Sequence, residues 1–337
     1  MFAEERGIVE GERRILLYGA GSIGCAIAEE MLRRGGIRIV AVIDADPDKA
    51  GKDLGTLLGR PPLRVRVNPA SQGGLRRGVA DLVVQATSSR LEAVVGQIEP
   101  ALEAGIPVLS TCEELAYPFE RQRSLADRID RLARLHGVPV LAAGVNPGFV
   151  MDKLPMTLMA VCREIRCVRV KRVIDASRRR LAFRRKIGAG LSAGQFDDAR
   201  REGRMGHVGL EESAGLIALS AGFRPDRRET ALKPVQASRS RKVIGLTQSL
   251  RCFQGKREVI RLDMKMQVGG VKSIDIIQLD GSPSFEVRIP GGIHGDEATV
   301  GIMVNAIPSL LAAPAGLRTI AEVPLFPLYP NIYAAGR

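Results

Sequence analysis

Apolar runs and amphipathic segments alternate along the first 150 residues of the chain. Short apolar runs, typical of buried strands, recur at residues 15–18, 39–43, 82–86, 108–110 and 140–143. Between them, apolar residues spaced three and four apart predict helices at 23–34, 91–104 and 121–136. Strands that alternate with helices predict an α/β domain over residues 1–149, with a doubly wound parallel sheet and right-handed connections.

The pattern changes from about residue 160 onward. Apolar and polar residues alternate at 165–174, 259–268, 274–279 and 285–289, and helical spacing recurs at 193–202 and 211–222. Such alternation is typical of antiparallel strands with one buried face. We therefore expect a second, α+β domain on a mainly antiparallel sheet. One face of that sheet would cover the ligand cleft and the other would meet a second subunit, which makes a homodimer the expected assembly.

Length and composition fit two soluble domains. The chain has 337 residues, of which 45% are hydrophobic, and this is enough for two substantial cores. No early segment resembles a signal peptide, and no apolar run reaches the roughly 20 residues that cross a bilayer. We expect a cytoplasmic protein with no membrane partner. The five cysteines include no CxxC pair and the three histidines are scattered, so we expect neither a disulfide framework nor a metal site.

The net charge of +13 raises the question of a nucleic-acid partner, because basic surfaces attract phosphate chains. The arginines are dispersed, aromatic residues make up only 4% of the chain and there is no Trp for stacking on bases. We therefore expect no nucleic-acid partner. The densest basic stretch, residues 163–186, is interpreted as a solvated strand-and-turn face, with a subunit contact or an anion-binding surface as alternatives.

A glycine turn follows the first predicted strand and opens directly into a helix. In the GxGxxG pattern Gly19 would make the tight turn, Gly21 would let the backbone approach a pyrophosphate, and Gly24 would let the helix pack on the strand. Asp44 ends the next apolar strand at the spacing of a ribose-binding carboxylate. Together these features predict a Rossmann dinucleotide site. Its predicted cofactor-binding residues in this region are Gly19, Gly21, Ser22, Ile23, Gly24 and Asp44.

Ligands of such sheets bind beyond the carboxyl ends of the strands, so the residues after the later strands are candidates for the chemistry. Thr87 and Ser88 follow the run at 82–86 and are predicted to contact the nicotinamide or its ribose. Ser88 or Ser89 can instead cap the helix that starts near Leu91. The sequence leaves both roles open.

Two consecutive carboxylates follow the run at 108–110. Thr111 and Glu114 have the spacing of a capping box, which gives Glu114 a structural role. Glu113 would point about 100° away on a helix and is the leading catalytic candidate, although the helix dipole alone can favour an acid there. Cys112 lies beside them, but no neighbouring residue is an evident base for it.

Three further polar residues lie in glycine-containing turns. Asn146, between Val145 and Pro147, can orient a carboxamide or a substrate, or bridge the backbone of its own turn. His294 and His207 are each flanked by glycines and are candidates for substrate contact. Asp296, close to His294, can instead cap the apolar helix predicted from residue 298. We include Asn146 and His294 among the catalytic candidates.

Six separated motifs carry a family resemblance. They are YGAGSIG (18–24), IDADPDKAGKDLG (43–55), STCEELAYP (110–118), GVNPGF (144–149), GHVGLEESAGLIA (206–218) and PGGIHGDEA (290–298). With these motifs the chain resembles 2,4-diaminopentanoate dehydrogenase and the related native amine dehydrogenases, from about Arg14 to its end. It lacks the His-His segment and the substrate loop expected of dihydrodipicolinate reductase itself.

The resemblance implies a dihydrodipicolinate-reductase-like fold, NAD or NADP as hydride carrier, and interconversion of a primary amine with a ketone and ammonia. It implies that a glutamate after the fifth strand does the proton work, which carries over to Glu113 with Glu114 as the fallback. It also implies that residues 298–337 return to the first domain. Residues 150–297 would then form the substrate and dimerisation domain.

Three questions stay open at this point. Asp44 favours the free ribose of NAD, whereas Lys49 or a nearby arginine can accommodate NADP. Within enzymes, an amino-acid or semialdehyde oxidoreductase on the same framework is the alternative. Outside enzymes, the alternative is a dinucleotide-sensing regulatory protein, although no DNA-binding helix pair is evident in the sequence.

Overall fold

The computed structural model describes residues 12–34, 36–70, 75–238, 242–324 and 327–328. The chain forms two compact units. Unit 1 contains the described residues up to Val145 and those from Gly295 onward, and unit 2 is Asn146–His294. The chain therefore leaves unit 1 a few residues before the position 149 expected from the sequence, and it returns a few residues before 298.

The elements are numbered in chain order. The strands are β1 (Arg13–Tyr18), β2 (Ile37–Asp44), β3 (Val67–Pro69), β4 (Leu82–Gln85), β5 (Val108–Ser110), β6 (Pro139–Ala142), β7 (Glu164–Asp175), β8 (Arg227–Gln236), β9 (Val243–Gln254), β10 (Arg257–Gln267), β11 (Ile274–Ser282), β12 (Phe285–Pro290) and β13 (Gly316–Arg318). The helices are α1 (Ser22–Arg34), α2 (Leu54–Leu57), α3 (Leu91–Glu103), α4 (Arg123–Leu135), α5 (Lys153–Met159), α6 (Leu181–Lys186), α7 (Ala193–Arg201), α8 (Leu210–Ala221) and α9 (Gly295–Leu311). A 3₁₀ helix spans Glu113–Ala116.

Unit 1 is built on a seven-stranded sheet in the order β13-β6-β5-β4-β1-β2-β3. Every pair of neighbouring strands is parallel, as the alternation of strands and helices predicted. The inner strands β4, β5 and β6 are buried at every residue because helices cover both faces of the sheet. The predicted α/β fold class is confirmed.

The sequence did not predict β3 or β13 as strands. Each has only three residues and lies at an edge of the sheet, so neither has a long apolar run. β13 pairs with β6, and α9 packs beside α1 within unit 1. Arg34 at the end of α1 donates to the side-chain oxygen of Asn305 on α9. These contacts fix residues 295–318 to unit 1.

Unit 2 is built on a six-stranded sheet in the order β12-β11-β7-β10-β9-β8. All neighbours are antiparallel except β7 and β10, which confirms the mainly antiparallel sheet. The strands β8 and β9 were not predicted from the sequence. β8 is an edge strand whose residues are all exposed or half-buried. Its internal Pro234 is tolerated because one edge of the strand forms no hydrogen-bond ladder.

The core of unit 2 lies between one face of this sheet and the helices α5, α7 and α8. Phe196 of α7 and Leu262 of β10 are fully buried in it. Met151 and Met159 belong to the same core, so these two methionines are packing residues. Gly245 of β9 packs closely on the neighbouring strand β10, since a Cβ there would collide with the carbonyl oxygen of Met266.

The interpretation of the basic stretch 163–186 as a solvated face is wrong for part of it. Arg172 on β7 is only 1% exposed and forms an ion pair with Asp275 on β11, which is 0% exposed, at 2.7 Å. Arg172 also donates to the carbonyl of Ile293 at 2.7 Å, and Asp275 accepts from the amide of Ile293 at 2.8 Å. Arg179 is buried as well, whereas Arg178 and Arg180 are exposed.

Within the described ranges, no helix is both long enough and apolar enough to cross a membrane. The homodimer expected from the second sheet stays a prediction.

We predict that Asp275→Leu lowers the free energy of unfolding by about 3–5 kcal/mol, because it leaves the charge of Arg172 buried without a partner. Urea denaturation followed by circular dichroism measures the change. The double variant Arg172→Met/Asp275→Leu should recover part of the loss, since it removes both charges. A single variant as stable as the wild type would contradict the structural role of the pair.

Candidate active site

The glycine turn joins the carboxyl end of β1 to the start of α1. Gly19 has a φ of +102°, and a Cβ there would collide with the carbonyl of Ala86. A Cβ on Gly24 would collide with the carbonyl oxygen of Gly19, so the close approach of helix and turn needs glycine at both positions. At Gly21 a Cβ would meet nothing within 4 Å. The backbone at Gly21 thus borders open space that a bulky ligand can enter.

The first turn of α1 is the natural anion site of this region. α1 begins at Ser22, so the amides of Ser22, Ile23 and Gly24 lie at the positive end of the helix dipole. The tight turn, the close packing and the open space at Gly21 are what a bound pyrophosphate requires. The residues present therefore fit a dinucleotide cofactor.

Asp44 ends β2 next to this turn, as predicted. Its carboxylate accepts from the amide of Ala20 at 2.6 Å and from the amide of Asp46 at 2.9 Å, and it pairs with Lys49 at 3.2 Å. Burial opposes ionisation, but the two amides and Lys49 outweigh it and lower the pKa of Asp44. Asp44 is therefore a carboxylate at neutral pH, and it ties the glycine turn to the end of β2.

A polar network lies under the ends of β4 and β5. The buried side chain of Gln85 donates to the hydroxyl of Thr87 at 2.5 Å, and that hydroxyl donates to Gln97 at 2.7 Å. Ser110 donates to the side-chain oxygen of Gln85. The hydroxyl of Thr87 is thus engaged by protein groups, while its methyl group lies near Gly19.

The predicted caps around α3 are not those observed. The Ncap residue of α3 is Arg90, which makes no side-chain cap, and Ser88 accepts only from the amide of Arg90 at 3.1 Å. The cap comes instead from Glu114, whose carboxylate accepts from the amide of Leu91 at 2.8 Å. The capping box of Thr111 and Glu114 is therefore wrong, since no side-chain cap closes the start of the 3₁₀ helix.

Glu114 is buried and holds three donors. Besides the amide of Leu91, its carboxylate accepts from Arg90 at 2.7 Å and from Gln122 at 2.7 Å. Burial alone would raise the pKa of Glu114, but the hydrogen bonds from Arg90, Leu91 and Gln122 lower it. These partners give Glu114 a structural role and leave it poorly suited to proton transfer.

Glu113 and Cys112 differ from Glu114 in their surroundings. Glu113 is partly exposed at the start of the 3₁₀ helix, immediately beyond the carboxyl end of β5. Cys112 is buried, and burial raises the pKa of its thiol to about 12. A thiol with that pKa stays protonated at neutral pH and is a poor nucleophile. Glu113 is thus the partly exposed carboxylate of this segment.

Asn146 begins unit 2 and is buried. Its side-chain nitrogen lies 3.9 Å from the sulfur of Met264, and its side-chain oxygen Oδ1 has no hydrogen-bond partner among the described residues. The backbone of the turn is held by Asp152 instead, which accepts from the amide of Gly148 at 3.0 Å and from the hydroxyl of Ser213 at 2.7 Å. The alternative in which Asn146 bridges its own turn is therefore wrong.

His207 lies against Asn146 within unit 2. Burial, then the charges of Lys186 and Arg172, lower the pKa of His207 to about 3, so the ring is neutral at physiological pH. Its backbone exchanges two hydrogen bonds with the side chain of Gln248, at 2.7 and 2.9 Å. The nitrogen Nε2 is buried and has no hydrogen-bond partner in the described part of the chain.

His294 is the last residue of unit 2 and is exposed. The residue before it, Ile293, is fixed by the buried pair of Arg172 and Asp275. Asp296 lies inside the first turn of α9, which begins at Gly295 rather than at residue 298. Asp296 is therefore not the N-cap that the sequence suggested. His136 is the C-cap residue of α4.

The structure brings two groups of predicted residues together. In unit 1, Asp44 bonds to the glycine turn at Ala20, Thr87 lies against the same turn at Gly19, and Glu114 is bonded to the segment that follows Ser88. In unit 2, Asn146 and His207 adjoin each other. No group of three or more potential metal ligands occurs among the described residues.

Sequence reasoning missed several residues that support these groups. Gln85, Ser110 and Gln97 position Thr87, and Asp152 with Ser213 holds the turn after Asn146. Gln85 and Ser110 interrupt the apolar ends of β4 and β5, which was the one available signal. Asp152 and Ser213 are 61 residues apart, so only the folded chain shows that they meet.

Comparison with known proteins gives a family match. The profile of the family described as "2,4-diaminopentanoate dehydrogenase C-terminal domain" matches residues 149–329, which is more than half of the chain. A curated relative, the 2,4-diaminopentanoate dehydrogenase of Acetoanaerobium sticklandii, is 29% identical over 338 aligned positions that cover 93% of each chain.

Solved structures support the same fold. The amine dehydrogenase from Mycobacterium smegmatis matches with a TM-score of 0.85 and 26% identity, over 95% of this chain and 98% of that one. The dihydrodipicolinate reductase from Paenisporosarcina sp. TG-14 matches with a TM-score of 0.51 and 13% identity, over 90% and 96%. The fold and the family resemblance predicted from the six motifs are confirmed.

We predict that Gly21→Ala weakens NADH binding about tenfold or more, equivalent to about 1.4 kcal/mol, because its methyl group enters the space open to the pyrophosphate. Thermal stability should not change, since a Cβ at Gly21 meets no neighbouring atom. Gly96→Ala in α3 is the matched control, as its Cβ also meets nothing. Fluorescence titration with NADH measures both, and equal affinities would contradict the cofactor site.

Proposed function

The chain belongs to the 2,4-diaminopentanoate dehydrogenase family, and on this premise we propose that it is an NAD(P)-dependent amine dehydrogenase. It converts a primary amine reversibly into a ketone and ammonia. The observation that carries the proposal lies in unit 1, where the carboxyl edge of one parallel sheet holds both the dinucleotide turn and the partly exposed Glu113. In open sheets of this kind the ligands bind at that edge.

The cofactor supplies a nicotinamide ring that accepts a hydride. Gly21 and the first turn of α1 would hold its pyrophosphate, and Asp44 would accept hydrogen bonds from the adenosine ribose. The Thr87 turn borders Gly19 and would support the nicotinamide half. Each of these residues binds or orients the cofactor and leaves proton transfer to another group.

We assign the proton transfers to Glu113. The reacting amine must be unprotonated, because its lone pair assists hydride departure from the carbon that bears it. Glu113 takes the proton from the ammonium form, and loss of hydride from the neutral amine gives an iminium ion. Glu113 then guides water to the iminium carbon, which yields the ketone and ammonium.

The neighbouring carboxylate, Glu114, is the weaker candidate. Its three hydrogen-bond donors stabilise the charged form, and proton uptake would have to displace them. We therefore give Glu114 the task of fixing the backbone that presents Glu113. The amide of Glu114 also donates to the carbonyl of Ser89 at 3.2 Å, so the segments after β4 and β5 are hydrogen-bonded to each other.

Glu113→Gln is expected to lower turnover of the amine by about 10²–10⁴-fold, since the amide cannot accept a proton. NADH affinity should stay at the wild-type value, because Glu113 does not hold the cofactor. Turnover is followed by NADH absorbance and affinity by fluorescence. Full turnover in this variant would remove Glu113 from the mechanism.

Glu114→Gln is the matched control, because it makes the same chemical change one residue away. It weakens the bonds to Arg90 and Leu91, so its main effect should be a lower melting temperature. If Glu114→Gln instead abolished turnover while folding normally, the roles of the two glutamates would be reversed.

The cofactor preference depends on the charge at Asp44. The carboxylates of Asp44 and Asp46 face one lysine, Lys49, so a 2′-phosphate would meet net negative charge, and we expect NAD to be preferred. Asp44→Asn removes one charge and keeps an oxygen for the amide of Ala20. It should shift the ratio of kcat/KM values toward NADP by about tenfold, or about 1.4 kcal/mol. A wild type that prefers NADP would contradict this role of Asp44.

A further inference from the structure

A buried amide lies at the end of β4, at the carboxyl edge of the parallel sheet. Gln85 is 0% exposed and follows three buried apolar residues in the strand. Burying an amide is unfavourable unless its N–H and C=O groups are hydrogen-bonded, and an apolar residue of the same size would avoid that requirement. Gln85 takes no part in the proton transfers assigned to Glu113. Its partners show what else the amide does at this edge.

Backbone groups at both ends of the network around Gln85 fix the direction of its hydrogen bonds. At one end the amide of Cys112, which can only donate, donates to Oγ of Ser110 at 3.0 Å, and Ser110 gives its own proton to Oε1 of Gln85. At the other end Nε2 of Gln97 donates to the carbonyl of Ala93 at 3.3 Å, which leaves Oε1 of Gln97 as an acceptor. The nitrogen Nε2 of Gln85 therefore points away from Ser110.

This direction uses up the hydroxyl proton of Thr87. Oγ1 of Thr87 accepts from Nε2 of Gln85 at 2.5 Å and donates to Oε1 of Gln97 at 2.7 Å. Nε2 of Gln85 also donates to the same oxygen of Gln97 at 3.1 Å, which closes a triangle of hydrogen bonds. A hydroxyl carries one proton, so Thr87 has none left to donate to a ligand, although the residue itself is exposed.

The methyl group of Thr87 points in a different direction from its hydroxyl. Both groups are attached to Cβ at a fixed relative angle, so the hydrogen bonds of Oγ1 also fix the position of Cγ2. Cγ2 lies only 2.8 Å from the place that a Cβ on Gly19 would occupy, which puts the methyl group against the tight turn between β1 and α1. The group that Thr87 offers beside the glycine turn is therefore apolar.

We propose that Gln85 is a positioning residue that selects the rotamer of Thr87 and turns the methyl group, rather than the hydroxyl, toward the bound cofactor. This inference rests on the dinucleotide site of the proposed function. Thr87 makes an apolar contact with the cofactor, while its hydroxyl bonds only to the protein. The buried polar network thus has a task in cofactor binding that an apolar residue at position 85 could not perform.

Thr87→Ser and Thr87→Val separate the two groups, because the first keeps the hydroxyl and the second keeps the methyl. Fluorescence titration should show that Thr87→Ser binds NADH about three- to fivefold more weakly than Thr87→Val, which is the contribution of one buried methyl group. Without cofactor, Thr87→Val should melt about 2–4 °C below Thr87→Ser, since it leaves Nε2 of Gln85 one acceptor short. Equal affinities, or the opposite order, would overturn the proposal.

Gln85→Met tests the positioning role, because methionine has a similar length and makes no such hydrogen bonds. It should weaken NADH binding about threefold, since the side chain of Thr87 can then turn its hydroxyl toward the cofactor. In the Thr87→Val background the same substitution should change the affinity by less than about 1.5-fold, because valine carries a methyl group in place of the hydroxyl. Equal losses in the two backgrounds would mean that Gln85 only supports the fold, and would refute its positioning role.

Ser110→Ala is the matched structural control. It removes the other hydrogen bond to the amide of Gln85 and leaves the bond between Gln85 and Thr87 in place. It should lower the melting temperature without weakening NADH binding. A loss of affinity as large as that of Gln85→Met would contradict the assignment.

The NADH titrations separate this inference from the amine dehydrogenase activity, since they require no turnover. If the variants follow the expected order but the wild type oxidises no amine, the role of Gln85 stands and the proposed activity fails. If the wild type oxidises amines but Thr87→Ser binds NADH as tightly as Thr87→Val, the activity stands and the role of Gln85 fails.

Discussion

The carboxylate of Glu114 connects two loops at the carboxyl edge of the parallel sheet. It caps α3 through the amide of Leu91, pairs with Arg90 and binds Gln122, while its own amide bonds to Ser89. The turn after β4 and the segment after β5 are therefore fixed to each other. A buried carboxylate is stable only if its oxygens are fully hydrogen-bonded, so the local fold and the charge of Glu114 depend on each other. This side chain therefore helps to fix the backbone segment that carries Glu113.

A second buried carboxylate, that of Asp44 at the end of β2, also holds a loop through hydrogen bonds. Asp44 accepts a hydrogen bond from the amide of Ala20 and so fixes the glycine turn. Its carboxylate also accepts from the amide of Asp46 and pairs with the ammonium group of Lys49. Gly24 closes the turn against α1 by close backbone contact. Unit 1 thus uses carboxylates to position the loops around its open space, and leaves partly exposed the one acid, Glu113, to which we assign chemistry.

Unit 2 uses buried charge differently. Arg172 and Asp275 neutralise each other and fix Ile293, and Asp152 secures the turn after Asn146. Asn146 and His207 are among the exceptions, since each keeps a buried atom without a hydrogen-bond partner in the described part of the chain. The hydrogen-bonded networks around them fix the loops that carry Asn146 and His207.

The periodicity of apolar residues in the sequence determined the parallel sheet and the helices α1, α3 and α4. The glycine spacing determined the roles of Gly19 and Gly24 and the position of Asp44. Both signals come from residues that are near one another in the chain. The short edge strands β3 and β13 and the polar edge strand β8 gave no such signal. Only the tertiary structure decided which acid caps α3, which arginines of the stretch 163–186 are buried, and which side chains adjoin His207. Those outcomes depend on partners 23 to 103 residues away, and a hydrogen bond or ion pair at that separation leaves no periodic trace in the sequence.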